Sequence, residues 1–237
     1  MDCEVWGEGM TITKLKPRNC VLDEATHRYF WDPDGENIQM AISVTGVIAT
    51  GKPPVDYSKF PEAAPRGTHV HRCMQALAEG TDLPDPVSPE GIDCSEWFRV
   101  LQEVPLWGNV NVLACEFVMT KKRWSLGGSL DLLVEKDGKR TLIDLKTKSA
   151  KWELPKPGSR FYADWQQSVQ GYKAQAGAYA DLLETGDGGG PCWITNYRTL
   201  IVTPTHHQWI SFNEFEASHA WADAWQTYLA HKQANPF

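Results

Sequence analysis

Two short apolar runs joined by a tight turn constrain this chain more than any other feature. They are Ser129 to Glu135 (SLDLLVE) and Arg140 to Thr147 (RTLIDLKT), with Lys136-Asp137-Gly138-Lys139 between them. An Asp-Gly pair between β-type runs is a strong hairpin signal, because a two-residue type I′ turn needs positive φ at both central positions. With Asp137 and Gly138 as the turn residues, Lys136 faces Lys139, and counting back along both strands sets Asp131 opposite Asp144. Opposed side chains have Cβ atoms about 4.5–5.5 Å apart, and like charges there repel. Side chains alternate along a strand, so Lys146 shares the face of Asp144 while Leu145 points the other way. Two facing carboxylates beside a lysine call for a cation, a shared proton or a cross-charge. A divalent cation that also binds phosphate is the favoured reading. The alternative is a solvated salt-bridge cluster on the wet face of a hairpin, and a different turn would make the acids diagonal neighbours.

At 237 residues the chain suits one elaborated domain with a real core. Its 42% hydrophobic and 22% charged residues argue against disorder. A formal charge of −7 argues against a surface coated in basic residues for nucleic acid, though not against a local basic groove. The cysteines Cys3, Cys20, Cys73, Cys94, Cys115 and Cys192 are widely spread with no CxxC spacing, so neither a zinc ribbon nor a redox motif is indicated. No signal peptide is evident, so reduced thiols and a cytoplasmic location are expected. No run of about 18 apolar residues exists, so no membrane span is expected. No GxxxxGK[ST] loop marks an ATP-driven motor.

The order of elements reads as α+β or α/β, a mixed sheet with helices packed on it. Arg28 to Trp31 and Ile38 to Ser43 flank a loop, Asp32 to Asn37, as an amino-terminal hairpin. Proline-rich Lys52 to Pro65 reads as irregular. A helix is expected from His69 to Glu79, with Thr68 as N-cap and Gly80 as its stop. Leu113 to Met119 precedes the hairpin as a strand, and Lys148 to Arg160 follows it as a basic loop. Trp165, Val169, Tyr172, Ala176, Tyr179 and Leu183 recur at steps of three and four, predicting a helix from about Asp164 to Glu184 that ends at Gly186 to Gly190. Strands near Thr199 to Thr203 and Gln208 to Phe212 follow, and Asn213 caps a last helix. No linker separates two cores, so one domain spanning 1–237 is expected: an N-terminal elaboration over 1–65, a core over 66–212 and a C-terminal helix over 213–237.

Gly128-Ser129-Leu130-Asp131 followed by Asp144-Leu145-Lys146 resembles the G-x-x-D…(D/E)-x-K core of PD-(D/E)XK nucleases. Upstream, Arg66-Gly67-Thr68-His69-Val70-His71 resembles the R-G-T-x-x-H helix start of the RecB-like exonuclease branch. Downstream, Gln175 and Tyr179 match its Q-x-x-x-Y helix motif, and Glu116 sits where many of these enzymes carry an acid. The resemblance spans about Arg66 to Glu184, and is nearest in style to phage exonucleases and the mitochondrial genome maintenance exonuclease. It implies a central mixed sheet flanked by helices, and Mg²⁺ or Mn²⁺ held by Asp131, Asp144, the Leu145 carbonyl and His71. The imidazole makes Mn²⁺ more plausible than an all-carboxylate site would. Glu116 would hold a metal-bound water or a second metal, and Lys146 would orient the nucleophile or stabilise the charged transition state. Gln175 would hydrogen-bond near the active site or substrate, with Tyr179 one turn on along the same helix face; the alternative for Tyr179 is a core residue. His69, two residues from His71, falls on another helix face and reads as structural. Some relatives hold an iron–sulfur cluster with one cysteine before the core and three after it. Here only Cys192 follows, so no cluster is expected.

Lys148, Lys151, Lys156 and Arg160 follow the DxK strand, with Trp152, Tyr162 and Trp165 interleaved, as where phosphates are gripped and unpaired bases stack. Lys121-Lys122-Arg123-Trp124 is a second such patch. The alternative for both is a solvated loop with tryptophans tucked into the core. The resulting expectation is a metal-dependent DNase, an exonuclease on single strands or frayed ends in recombination, repair or replication, in a bacterial or phage-infected cell. Its rivals are a structure-selective or restriction-type endonuclease, a non-catalytic binding subunit with a nuclease-like fold, and a nucleotide phosphatase.

Overall fold

The computed structural model describes residues 14–32, 35–52 and 57–235. Cys3, residues 33–34 of the expected amino-terminal loop and residues 53–56 of the proline-rich stretch lie outside them. The elements are β1 (Cys20–Asp23), β2 (Arg28–Trp31), β3 (Ile38–Gln39), β4 (Ile42–Ser43), α1 (Val44–Ala49), α2 (Ala63–Glu79), α3 (Ser95–Gln102), β5 (Asn111–Lys121), β6 (Leu126–Lys136), β7 (Lys139–Thr147), α4 (Tyr162–Thr185), β8 (Ile194–Val202), β9 (His207–Phe212) and α5 (Glu214–Ala234).

The central sheet has six strands in the order β4-β6-β7-β8-β9, with β5 along the other edge of β6. Pairing is mixed. β4 with β6 and β7 with β8 are parallel, whereas β5 with β6, β6 with β7 and β8 with β9 are antiparallel. Successive apolar residues serve opposite faces, which is why these strands read as continuous apolar runs. Leu133, Leu142 and Ile201 enter a core with α1, α4 and α5, while Leu132, Val134, Ile143, Leu145 and Leu200 enter one with α2 and α3. The expected mixed sheet flanked by helices is the observed architecture.

The hairpin forms as its turn chemistry requires. Asp137 and Gly138 have φ of 50° and 72°, Lys136 pairs with Lys139, and the register runs to Leu132↔Ile143. Elsewhere local reading needed correction. The amino-terminal hairpin is shorter: β3 pairs with β2, but Ile42–Ser43 crosses to the central sheet and lies beside Leu126 and Gly127. α2 starts at Ala63, not His69, and Glu62 rather than Thr68 is its N-cap. Pro65 sits in the first turn, where an amide donor is not needed, so it does not delay the helix. Gly80 ends α2 in the left-handed conformation as expected. α3 and α1 were not foreseen; each is short, and α3 is held by burial of Phe98, Val100 and Leu101 rather than by caps. Asn213 caps α5 in a reciprocal box with Glu216. The five described cysteines are free thiols. Among the described residues no helix is long and apolar enough to cross a membrane.

Candidate active site

The ladder between β6 and β7 stops at Leu132↔Ile143, one pair short of Asp131 and Asp144. Beyond it the edge of β6 is taken by β4, at Leu126 and Gly127. The two acids, expected to be a directly opposed pair, thus lie just past the end of the ladder, at a split in the sheet. Asp131 accepts from the Leu145 amide through Oδ2 at 2.6 Å. Asp144 accepts from Lys146 Nζ through Oδ1 at 2.8 Å. Asp144 Oδ2 is buried with no hydrogen-bond partner. Lys146 shares the Asp144 face, and Leu145 is wholly buried in the α2–α3 core, as alternation dictates.

α2 brings His71 to this split. Its Nδ1 lies 3.1 Å from Glu116 Oε1 and 3.8 Å from Asp131 Oδ1, and its Nε2 lies 3.2 Å from the Leu145 carbonyl oxygen. Glu116, Asp131 and His71 each offer a ligand atom within 4.8 Å of the others. Glu116 has φ of 44°, a strained conformation for a residue with a side chain, on a strand whose ladder skips from Cys115 to Phe117. From the other face α4 supplies Gln175 and Tyr179, both buried, with Gln175 Nε2 donating to the Tyr179 hydroxyl at 2.8 Å.

Burial makes the charges of this cluster interdependent. It lifts the Asp144 carboxyl to about 6 against the pull of Lys146, with Asp131 adding to the rise. Asp131 is raised too, by burial, against the opposing pull of His71 and Lys146. Burial pulls the His71 imidazole down, but Asp131 and Glu116 outweigh it and hold it at about 9. Lys146 is likewise lowered by burial and raised more by Asp144 and Asp131, so it stays a cation. Burial, then Asp131 and Asp144, push the Tyr179 phenol well above its ordinary range.

Two tyrosines escaped sequence reading. Tyr172 has its ring 5.9 Å from Lys146 Nζ, and its spacing of three and seven from Gln175 and Tyr179 was the available signal. Tyr29 of β2 is buried, and burial, Glu116 and Asp131 push its phenol up to about 12. Nothing local marked it. His69 is structural: its Nε2 lies 2.6 Å from the Asp85 carbonyl and its ring stacks on Phe98.

The basic loop divides. Lys151, Lys156 and Arg160 are exposed, whereas Lys148 and Trp152 are half-buried. Trp152 packs against Trp165 and His206 at ring separations of 5.7 and 6.3 Å. The aromatic that stands out is Phe161, 54% exposed, with the Arg160 guanidinium 4.5 Å over its ring. The second basic patch divides as well: Lys121 is buried against Asp181 at 2.8 Å and Trp124 stacks on Trp225, whereas Lys122 and Arg123 are exposed.

Residues 103–235, more than half the chain, match the family model of the PD-(D/E)XK nuclease superfamily. The chain belongs to that superfamily. It is a nuclease by family, with a nucleic acid as substrate class and a divalent-metal chemistry that the His71, Glu116 and Asp131 cluster fits. The buried unpartnered Asp144 Oδ2 fits it as well, since an anionic oxygen without a donor is what a cation satisfies. The fold resembles the crystal structure of "Putative exonuclease" from Eubacterium rectale, with 15% sequence identity, a TM-score of 0.50 and 82% of each chain covered. A second solved structure, SSO0001, is also 15% identical, with a TM-score of 0.36 and 77% of this chain and 74% of that chain covered. Comparison with the curated proteins found no match.

Proposed function

We propose that this protein is a deoxyribonuclease of the RecB-like type, one nuclease domain that hydrolyses phosphodiester bonds from the free ends of single-stranded or frayed DNA. The observation that carries the reading is the buried, unpartnered Oδ2 of Asp144 beside the His71, Glu116 and Asp131 cluster, with a lysine held as a cation next to it. Asp131, Asp144, the Leu145 carbonyl and His71 would hold Mg²⁺ or Mn²⁺, with Glu116 beside them, and the imidazole favours Mn²⁺. Such a cation, when bound, makes water a better nucleophile at neutral pH and offsets phosphate charge. The chain's own residues do the rest. Lys146, fixed by Asp144, presents a permanent positive charge to the phosphate oxygens; it cannot serve as a base while protonated. Gln175 and Tyr179 brace the α4 side of the site and exclude water from it. Lys148, Lys151, Lys156 and Arg160 receive the strand, with the exposed Phe161 ring available for stacking and Trp152 buttressing the loop from beneath.

End-dependence rests on the RecB-like motifs and on the name of the Eubacterium rectale neighbour. A role in recombination, repair or replication, in the cytoplasm of a bacterial or phage-infected cell, follows from the same reading. The test compares end-labelled linear single strands, the same strands circularised, blunt duplex and a mononucleotide, each with Mg²⁺ or Mn²⁺. Rapid loss of linear strands alone is expected. Fast cutting of circles would make the protein an endonuclease, and hydrolysis of the mononucleotide alone would remove the nuclease assignment.

A further inference from the structure

α2 buries a second polar group that the carboxylate centre does not use. Arg66 is 7% exposed, and its Nε is buried with no hydrogen-bond partner. Glu62 is 3.9 Å from its Nη1 and half exposed, too far for a hydrogen bond and open to screening. The guanidinium stands 5.2 Å over the Trp97 ring. That ring is itself anchored, because Trp97 Nε1 donates to the Lys148 carbonyl oxygen at 2.9 Å. A buried cation with an unmet N–H is costly unless something from outside completes it.

The position says what that something is. A Cβ built on Gly67 would lie 3.7 Å from Thr147 Oγ1, so this part of α2 rests on the end of β7 directly after Asp144 and Lys146. Lys148 is half-buried there, its amine pushed below the ordinary range by burial and then by Lys146 and Arg66. Three cations therefore converge at one end of one strand, in a chain whose net charge is −7. Among the described residues only Lys146 of the three has a counter-ion within hydrogen-bond distance, Asp144 at 2.8 Å. A planar guanidinium matches two phosphate oxygens at once, and an ammonium adds a point charge beside it.

We propose that Arg66 and Lys148 together grip a second phosphate of the substrate strand, next to the one at the carboxylates, with Trp97 as the shelf that orients the guanidinium. This rests on the nuclease reading above. The phosphate is either an internal phosphodiester or the terminal phosphate of a strand end; both present the two non-bridging oxygens that a guanidinium fork needs.

The test is equilibrium binding of a fluorescent single strand in chelator across a range of salt, using the full chain. Arg66→Met and Lys148→Met should each weaken binding about tenfold and lower the slope of log K against log salt by about 0.7, the value for one lost single-strand phosphate contact. Arg66→Lys should restore the slope but not the full affinity. Equal defects on unphosphorylated circles and linear strands assign the grip to an internal phosphodiester. Defects confined to end-phosphorylated linear strands assign it to a strand terminus. Calorimetric Mn²⁺ affinity should stay at the wild-type value in both variants. A loss of Mn²⁺ affinity with an unchanged salt slope would make Arg66 a support of the metal centre and overturn the proposal. If Arg66→Met does not fold, Lys148→Met decides: an unchanged slope there overturns it. A wild type that binds no strand removes the nuclease reading and this proposal with it. A wild type that binds and cuts, with variants indistinguishable from it, removes this proposal alone.

Discussion

Asp144 gives one carboxylate oxygen to Lys146 and leaves the other buried without a partner. In the metal-free protein that arrangement has a cost with a definite pH dependence. Burial raises the carboxyl from 3.8 to about 6, so the folded chain holds this proton more tightly than the unfolded chain does. The group's contribution to stability is full below the unfolded value and is lost as pH rises through about 6. Asp144→Asn should therefore stabilise the metal-free protein to urea at neutral pH, by ~2 kcal/mol, with the gain vanishing in strongly acidic buffer. Equal or lower stability of the variant at neutral pH would count against a strained, cation-awaiting carboxylate. The same substitution, like Asp144→Ala, should abolish cleavage. Lys146 makes the complementary case. It is a cation held by Asp144, so Lys146→Ala should remove most of kcat while DNA affinity changes by only a few-fold. A loss of affinity that accounts for the whole rate defect would reassign it as a phosphate clamp.

At the scale of elements, the site exists because three of them converge on a split between two strands. α4 can approach β6 closely only over a residue with no side chain. A Cβ on Gly128 would lie 2.9 Å from Val44 Cγ2 and 3.1 Å from Tyr179 Cε1. Gly128→Ala should cost ~1–3 kcal/mol through overpacking, and lower kcat more than it raises KM, because Tyr179 is among the groups that must give, after Val44. A variant with wild-type kcat would show that the α4 side does not position the chemistry. The loop after β7 permits a second separation of roles. Trp152 packs on Trp165 whereas Phe161 stands in solvent. Trp152→Ala should cost fold stability, measured by urea denaturation, with strand affinity held. Phe161→Ala should weaken single-strand binding by ~1–3 kcal/mol with stability held. The reverse result would exchange their roles.

For the whole molecule, metal and fold should be linked. A cation that binds only the folded chain adds stability by mass action, ~2.7 kcal/mol at a hundred times its dissociation constant. Mn²⁺ should raise the melting temperature of the wild type and leave that of Asp131→Ala nearly unchanged, and chelator should abolish cleavage. Cleavage that survives excess chelator would sink the metal mechanism.

What could be read from the chain alone was what local chemistry decides. Asp137-Gly138 sets its own turn and thereby the register of two strands. Gly80 stops α2, Asn213 with Glu216 starts α5, and the three-four spacing of apolar residues places α4. Asp131, Asp144 and Lys146 were legible because they belong to that hairpin. The tertiary structure decided everything that depends on burial and on distant segments meeting. His71 and Glu116 are 45 residues apart, yet touch. The positive φ of Glu116, the approach of Tyr29 and the unpartnered atoms of Asp144 and Arg66 have no local signature. Nor does the end of the β6–β7 ladder one pair before the two acids, since a register says which residues face each other but not where the pairing stops. The physical reason is the same throughout. Turn and cap preferences act over a few residues of backbone, whereas charge, solvation and side-chain direction at a site depend on which surfaces the packed core brings together.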